Sequence, residues 1–580
     1  MHDSLATLSS FVKFNVDHVD GDQDNNHLGI VMKVETAWVS PPQAIGGLDH
    51  LGTQAPCVLV YSQLLPGITN VTDRARYYSF YPWLIWSLDQ RYPKDDEAQF
   101  VEFFRRADCL FTLLSERHAR TTDGDNERHG VAMVGRNQLT LALDRLEGGD
   151  ELILPQYTSQ DSTRRYFKSP LGGLSQYYAG TLSGLKLTDA SAKPWIEYTK
   201  LVGAPLAKQL DASIQPDRFW KVVESGFVTC DDLDALGDLC ACQLPHSERE
   251  RTTLVDLYFD RNDAYEQEGI QRRWSLALIL NLAHSLTGGN DLTESVFRAC
   301  TYSGALHGQV PWLPPEPLRS TVACWATYQR NDLLSIACQT VLGLALRELE
   351  PHDAASKTFY SSVESFAEAF SGSALVFAVG QNLNVKRMGD FLDGLVVSMP
   401  PLTAWENEKH EIQMAQRMLV SWSRRDETGI LLELVVTMLS LLACRDDLSK
   451  SPYGAVAISP DALIDYPINL VSFRARVATW KPMSFSAFIA DLVTWCLNTH
   501  LRVALRKLSN TGRATFHIRP SERGLEVVGE VPPPANTAPR FRQAVQILRD
   551  VGALTRDASQ PNGPTRPTEL GRALMEFSSE

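Results

Sequence analysis

The sequence lacks the features that mark secreted and membrane-spanning chains. Residues 1–26 contain acidic side chains and have neither a basic leader nor an apolar run, so we expect no signal peptide. The longest apolar stretch, residues 428–444, contains Glu433 and falls short of about 18 uninterrupted apolar residues, which predicts a buried core helix. We therefore expect a cytoplasmic protein that makes no membrane contact.

Cysteine spacing that would indicate a disulfide framework is also missing. The ten cysteines are scattered through apolar, helix-like segments, which is typical of reduced, buried thiols. Cys240 and Cys242, with His246 four residues further on, offer three metal ligands, but zinc sites usually need a second spaced pair and the sequence has none. We predict no metal and no cofactor.

Patterns of the common catalytic folds are missing as well. The sequence has no GxxxxGK[ST] phosphate loop, no GxGxxG turn after a strand, no GxSxG and no HExxH. Acidic residues near lysines do not have the arrangement of metal-dependent nucleases, because Glu197 and Lys200 have the wrong spacing and Glu35 follows Lys33 in the wrong order. We therefore favour a protein without catalysis, and an effector nuclease with a site assembled from distant residues stays open.

Basic residues are too few for a protein that coats nucleic acid with its whole surface. The chain has 55 Lys and Arg against 69 Asp and Glu, a formal charge of −14. Any contact with phosphates must therefore be local, made by a basic face on an acidic body, or arranged by a partner subunit.

What the sequence does contain is helical periodicity over most of its length, which predicts a mainly α protein of several subdomains with small β-hairpins. Helices are predicted near 230–241, 428–444 and 484–508, and a β-hairpin is predicted with its turn near Ser521 to Gly524. Four prolines within 308–317 suggest a boundary. The predicted division is an N-terminal α+β domain with an aromatic and arginine-rich segment (1–190), two helical domains (191–307 and 318–480), and a C-terminal region of helix, hairpin and winged-helix-like module (484–580).

The C-terminal 40 residues are the most informative. Their apolar spacing and turn residues resemble a winged-helix module, in which one helix enters the major groove and the wing contacts phosphate. Arg542, Arg549, Arg556 and Arg566 make this segment locally basic, so we predict that they contact DNA. The alternative is a winged helix that only packs against proteins.

A second basic cluster directly precedes this module. Arg502 and Arg506 share a helical face, and Lys507 and Arg513 follow, so neighbouring phosphates are predicted partners of all four. The alternative is that these side chains form salt bridges with acidic neighbours.

A third candidate is the aromatic segment at 73–86. Arg74, Arg76, Tyr77, Tyr78 and Tyr81 lie close enough in helical spacing to form a stripe that stacks bases or binds a partner. The alternative is that an aromatic stripe at this spacing belongs to the core.

Two segments, LLPGITNVTDRARYYSFYPWLIW and SPLGGLSQYYAG, resemble parts of uncharacterised bacterial proteins found among phage-defence gene clusters. The resemblance implies a component of a multi-gene system and assigns no residue roles. The leading hypothesis is a non-enzymatic DNA-binding or scaffolding subunit that works with other proteins of an anti-phage system. The alternatives are the effector nuclease and a purely protein-binding adaptor.

Overall fold

The computed structural model describes residues 49–93, 96–122, 132–192, 196–350, 358–424, 427–556 and 563–579. The first 48 residues of the predicted N-terminal domain and residues 557–562 of the predicted winged-helix-like module lie outside the described residues. The described residues form one compact unit.

The described chain is mainly helical, as predicted. In the N-terminal half the helices are α1 (Gln54–Leu64), α2 (Tyr77–Arg91), α3 (Glu97–Thr121), α4 (Arg136–Glu147), α5 (Pro155–Thr158), α6 (Ala179–Gly184), α7 (Gly203–Asp211), α8 (Pro216–Ser225), α9 (Cys230–Ala235), α10 (Glu248–Phe259), α11 (Glu266–Ser285) and α12 (Glu294–Ser303). In the C-terminal half they are α13 (Glu316–Leu349), α14 (Val363–Ser371), α15 (Ala374–Asn382), α16 (Met388–Ser398), α17 (Glu411–Ser421), α18 (Thr428–Cys444), α19 (Leu470–Trp480), α20 (Phe485–Thr511), α21 (Phe541–Asp550) and α22 (Glu569–Phe577). Short 3₁₀ turns occur at Gly237–Leu239, Ala241–His246, His307–Gln309 and Pro460–Leu463, and a π turn at Leu174–Tyr178.

The strands pair into four small antiparallel sheets within the described residues. They are β1 (Leu152–Ile153) with β4 (Phe227–Val228), β2 (Thr188–Asp189) with β3 (Glu197–Tyr198), β5 (Ile518–Ser521) with β6 (Gly524–Val527), and β7 (Leu554–Arg556) with β8 (Thr565–Pro567). The hairpin predicted near Ser521 to Gly524 is confirmed, because these two residues pair at its turn. The winged-helix assignment of the last helices and strands stays a prediction.

The core is built around α13, which is buried along most of its 34 residues. Helices α1, α11, α12, α18 and α20 pack against it.

The predicted core helix at 428–444 is confirmed as α18. Buried side chains from all four predicted segments belong to one contiguous apolar cluster, and the division of the chain into four domains stays a prediction.

None of the described helices has by itself the length and apolar composition to cross a membrane. One pair, Val363–Ser371 and Ala374–Asn382, meets these two criteria only when taken together, and the pair is bent by 51°.

The predicted helix at 230–241 is wrong in its second half. A capping box between Thr229 and Asp232 starts α9, but the helix ends at Ala235. Two 3₁₀ turns follow, and Cys240 between them has an extended backbone. Gly237, a poor helix former, accounts for the break.

The two segments that carry the family resemblance pack against each other around Asp108 of α3. The buried Asp108 carboxylate accepts hydrogen bonds from Tyr81 Oη at 2.9 Å, Tyr166 Oη at 2.7 Å and the Gly173 N–H at 3.1 Å. A Cβ at Gly172 would lie 2.2 Å from Tyr166 Oη, and the backbone there has φ +51°. Glycine is therefore required at position 172 by close packing and by backbone conformation.

Candidate functional site

The predicted base-stacking surface is buried. Arg74, Arg76, Tyr77, Tyr78 and Tyr81 are each 0% exposed. Ring stacking on a nucleic acid needs open ring faces, so the prediction of a surface here is wrong and the core alternative holds. The physical reason is aromatic packing: the rings of α2 contact one another and those of Phe104, Phe111 and Tyr178.

Arg74 instead forms a buried, bidentate ion pair with Asp550 of α21. Its Nε and Nη2 donate to the two carboxylate oxygens at 2.9 and 3.0 Å. The Ala75 N–H donates to the same carboxylate at 3.0 Å, and Gln546 Nε2 donates at 2.8 Å. The segment before α2 therefore fixes a helix of the predicted winged-helix module in place.

Arg76 has a different set of partners. Its guanidinium donates to the backbone carbonyls of Asp238 and Cys240 at 2.6 and 2.7 Å, and to the buried carboxylate of Glu250 at 3.1 Å. Arg76 thus holds the turn at 238–240 against α2 and α10.

Basic residues of the C-terminal module mostly hold it to the body of the protein. Arg542 lies 3.2 Å from Asp73, and Arg556 lies 3.5 Å from Asp291. Arg566 donates to the carbonyl of Asn290 at 3.4 Å, and Arg549 donates to Thr565 Oγ1 at 3.1 Å. Of these four side chains of the C-terminal module, Arg542 is well exposed, at 72%.

The helix α21 is covered on most of its surface. Seven of its ten residues are buried, including the polar Gln543 and Asp550. Gln543 donates to Asp73 at 2.9 Å and to the carbonyl of Asn70 at 3.0 Å. A recognition helix presents an exposed face to the major groove, and α21 presents Arg542 with the edges of Gln546 and Arg549.

The second predicted basic cluster lies at the end of α20, with Arg513 in the segment that leads to the β5–β6 hairpin. Arg502 donates to the carbonyl of Ile464 at 3.3 Å, and Lys507 donates to the carbonyl of Asp49 at 2.5 Å. Arg506 donates to the carbonyl of Asp465 and lies over the ring of Tyr466. These contacts are to backbone carbonyls, so the guanidinium charges are not neutralised by them. The exposed arginines of this region are Arg502, Arg513, Arg519 and Arg523.

Three histidines meet beneath this basic region. The His517 N–H donates to His500 Nε2 at 2.9 Å, and His500 Nδ1 lies 2.9 Å from the carbonyl of His50. His517 Nε2 lies 3.1 Å from His50 Nδ1. Because His500 Nε2 accepts a backbone hydrogen bond, its Nδ1 carries the proton, and a second proton would displace that bond. Burial lowers the pKa of His500 to about 4 and that of His50 to about 3.

The histidine cluster predicts that stability falls with acidification. His500 becomes protonated at a lower pH in the folded chain than in the unfolded chain, where its pKa is near 6.5. Its contribution to the free energy of unfolding is therefore complete above pH 6.5 and is lost as the pH falls toward 4. We expect about 2 kcal/mol less stability from this residue at pH 5 than at pH 7. Urea denaturation at both pH values measures this loss. The loss should be smaller by about 2 kcal/mol in His500→Gln than in the wild type. The control His246→Gln, whose side chain is exposed, should show the same loss as the wild type. An equal pH dependence in all three proteins would contradict the prediction.

One group in the described chain has the composition of a metal site. Ligand atoms of His118, Cys240 and Cys242 all lie within 4.8 Å of one another. The sequence pattern suggested His246 as the third member, but the structure brings in His118 of α3. His118 is 122 residues before Cys240, so only the packing of α3 against the 237–246 turns reveals the group.

Comparison of the chain with protein-family models, with curated proteins and with solved structures found no match.

Proposed function

We propose that this chain is a non-enzymatic subunit of a multi-component bacterial anti-phage system and that it binds DNA or acts as a scaffold within that system. The observation that carries the DNA contact is the exposed basic region formed by the end of α20 and the β5–β6 hairpin. Residues 498–523 contain six Lys and Arg and one acidic residue, in a chain whose formal charge is −14. Guanidinium groups on such a region match the geometry and the charge of phosphates.

The proposal moves the main DNA contact away from the C-terminal module. Arg556 and Arg566 are engaged with the Asn290 and Asp291 loop, and Arg542 is next to Asp73. Arg502 and Arg513 are exposed, and both belong to the basic region at 498–523. Arg519 and Arg523 of the hairpin complete the proposed contact, with Arg519 only 52% exposed and 3.8 Å from Glu526.

The proposed membership of a defence system rests on the resemblance of the two segments around Asp108. Other protein subunits are then expected partners. Affinity purification of the tagged chain, expressed from its own gene cluster, tests this part. Recovery of products of neighbouring genes supports it, and recovery of the chain alone contradicts it.

Removing three arginines of the hairpin region should weaken DNA binding and reduce its salt dependence. We expect Arg513→Gln/Arg519→Gln/Arg523→Gln to lower the slope of log affinity against log salt by about 2 to 3, because each lost phosphate contact removes about 0.9. Fluorescence anisotropy with duplex and single-stranded DNA across a salt series measures this slope. The matched control is Arg164→Gln/Lys168→Gln/Lys221→Gln, which removes the same charge from exposed positions elsewhere.

Equal losses in both triple variants would mean that net charge, and not this region, determines binding. No binding by the intact chain at low salt would reject the DNA proposal, and salt-insensitive binding to a protein partner would support the adaptor. Truncation after Pro534 is a poor test, because it removes Asp550 and leaves Arg74 buried without its carboxylate.

A further inference from the structure

The thiols of Cys240 and Cys242 and the imidazole of His118 are spaced as ligands of one ion. His118 Nδ1 lies 3.4 Å from Cys242 Sγ. A zinc ion with a bond of about 2.1 Å to nitrogen and about 2.3 Å to sulfur would hold two tetrahedral ligand atoms about 3.6 Å apart. The His118–Cys242 pair is therefore within a few tenths of an ångström of that spacing, and all three ligand atoms lie within 4.8 Å of one another.

Separate parts of the fold bring the three residues together. His118 lies in the last turns of α3, and the two cysteines belong to the turns at 237–246. A Cβ at Gly237 would lie 3.1 Å from His118 Cδ2, so glycine gives the imidazole its space. Arg76 fixes the carbonyls of Asp238 and Cys240, which sets the position of the first thiol.

The surroundings select the kind of cation. Cys240 is fully buried and Cys242 is nearly so, whereas His118 is half-buried, which leaves one side of the group open. Two thiolates and an imidazole favour Zn²⁺ over Mg²⁺ or Ca²⁺, which take oxygen ligands. Two thiolates also balance the charge of Zn²⁺, so that the site adds no net charge to the interior.

We infer that His118, Cys240 and Cys242 bind one Zn²⁺ ion, with the fourth coordination position open to water. The ion would join the end of α3 to the turns that pack against α21. This site is independent of the proposed DNA contact, since none of its residues belongs to the basic region at 498–523.

The full-length chain, purified under reducing conditions without chelator, should contain about one zinc per molecule by elemental mass spectrometry. After exchange with Co²⁺, we expect thiolate-to-metal charge-transfer absorption and the intense visible bands of a tetrahedral ion. Both signals should be lost in Cys240→Ser/Cys242→Ser and strongly reduced in His118→Gln. The matched controls Cys230→Ser and His246→Gln should keep them, because these residues lie outside the group.

The wild-type cobalt spectrum tests the inference even if the double serine variant fails to fold. Absence of thiolate bands from that spectrum would overturn the zinc site. Zinc retained at full stoichiometry in the double serine variant would overturn it too, and so would zinc loss in His246→Gln together with retention in His118→Gln. A metal-free chain two hydrogens lighter by mass spectrometry, with Cys240 joined to Cys242, would show a redox dithiol instead.

Discussion

Replacing Asp550 with alanine is expected to lower the free energy of unfolding by about 3–5 kcal/mol. The substitution leaves the guanidinium of Arg74 buried at 0% exposure without its carboxylate, and it removes the acceptor of the Ala75 N–H. An uncompensated charge in the interior costs far more than the loss of a surface pair, because no water replaces the missing partner. Urea denaturation followed by tryptophan fluorescence measures the change.

Two further variants separate a buried charge from a simple loss of contacts. Asp217→Ala removes the carboxylate of an ion pair with Arg91 in which Asp217 is 94% exposed, and we expect a change within about 0.5 kcal/mol. The double variant Arg74→Met/Asp550→Leu removes both charges and should recover much of the loss. If Asp550→Ala is no more destabilising than Asp217→Ala, the buried pair does not have the role assigned to it.

Replacing Asp332 with alanine should destabilise the protein by a similar amount, about 3–5 kcal/mol. Asp332 Oδ2 accepts from Arg298 at 2.6 Å, and Asp332 Oδ1 accepts from the Thr537 N–H at 2.8 Å. Arg298 also donates to the Thr537 carbonyl at 2.6 Å. The substitution therefore leaves a buried cation with less compensation and a buried N–H without an acceptor.

The same variant has a local consequence that limited proteolysis can measure. Thr537 belongs to the proline-rich segment 531–539, which these hydrogen bonds attach to α12 and α13. We expect Asp332→Ala to increase cleavage within this segment, and Asp332→Asn, whose amide oxygen still accepts from Thr537, to have a smaller effect. Cleavage and stability unchanged from the wild type in Asp332→Ala would refute this account.

The sequence was a good guide to elements that depend on local chemistry. The apolar run at 428–444 is α18, the predicted helix at 484–508 is α20 with three more residues at its end, and the turn near Ser521 to Gly524 closes a hairpin. Periodicity and turn residues determine such elements within a few residues of chain. The helix predicted across 230–241 failed because Gly237 and the extended Cys240 interrupt it.

The candidate sites depended on contacts that no local pattern contains. The arginines and tyrosines at 74–81 have the same spacing on an exposed stripe and in a core, and only the partners Asp550, Glu250 and Asp108 show that they are buried. His118 was missed for the same reason, since its neighbours Cys240 and Cys242 lie far along the chain. The role of the basic side chains at 502–513 in DNA binding stays a prediction.

The pairing of Arg74 with Asp550 also has a consequence for how the chain is made. The two residues are 476 positions apart, and a ribosome adds about 5–20 residues per second. A nascent chain therefore carries Arg74 without its partner for between about 25 and 95 s. During that interval the rings of α2 can already pack against Phe104, Phe111 and Tyr178, whereas the guanidinium of Arg74 still lacks its carboxylate. The ion pair between the segment before α2 and α21 can therefore form only after residue 550 has been synthesised.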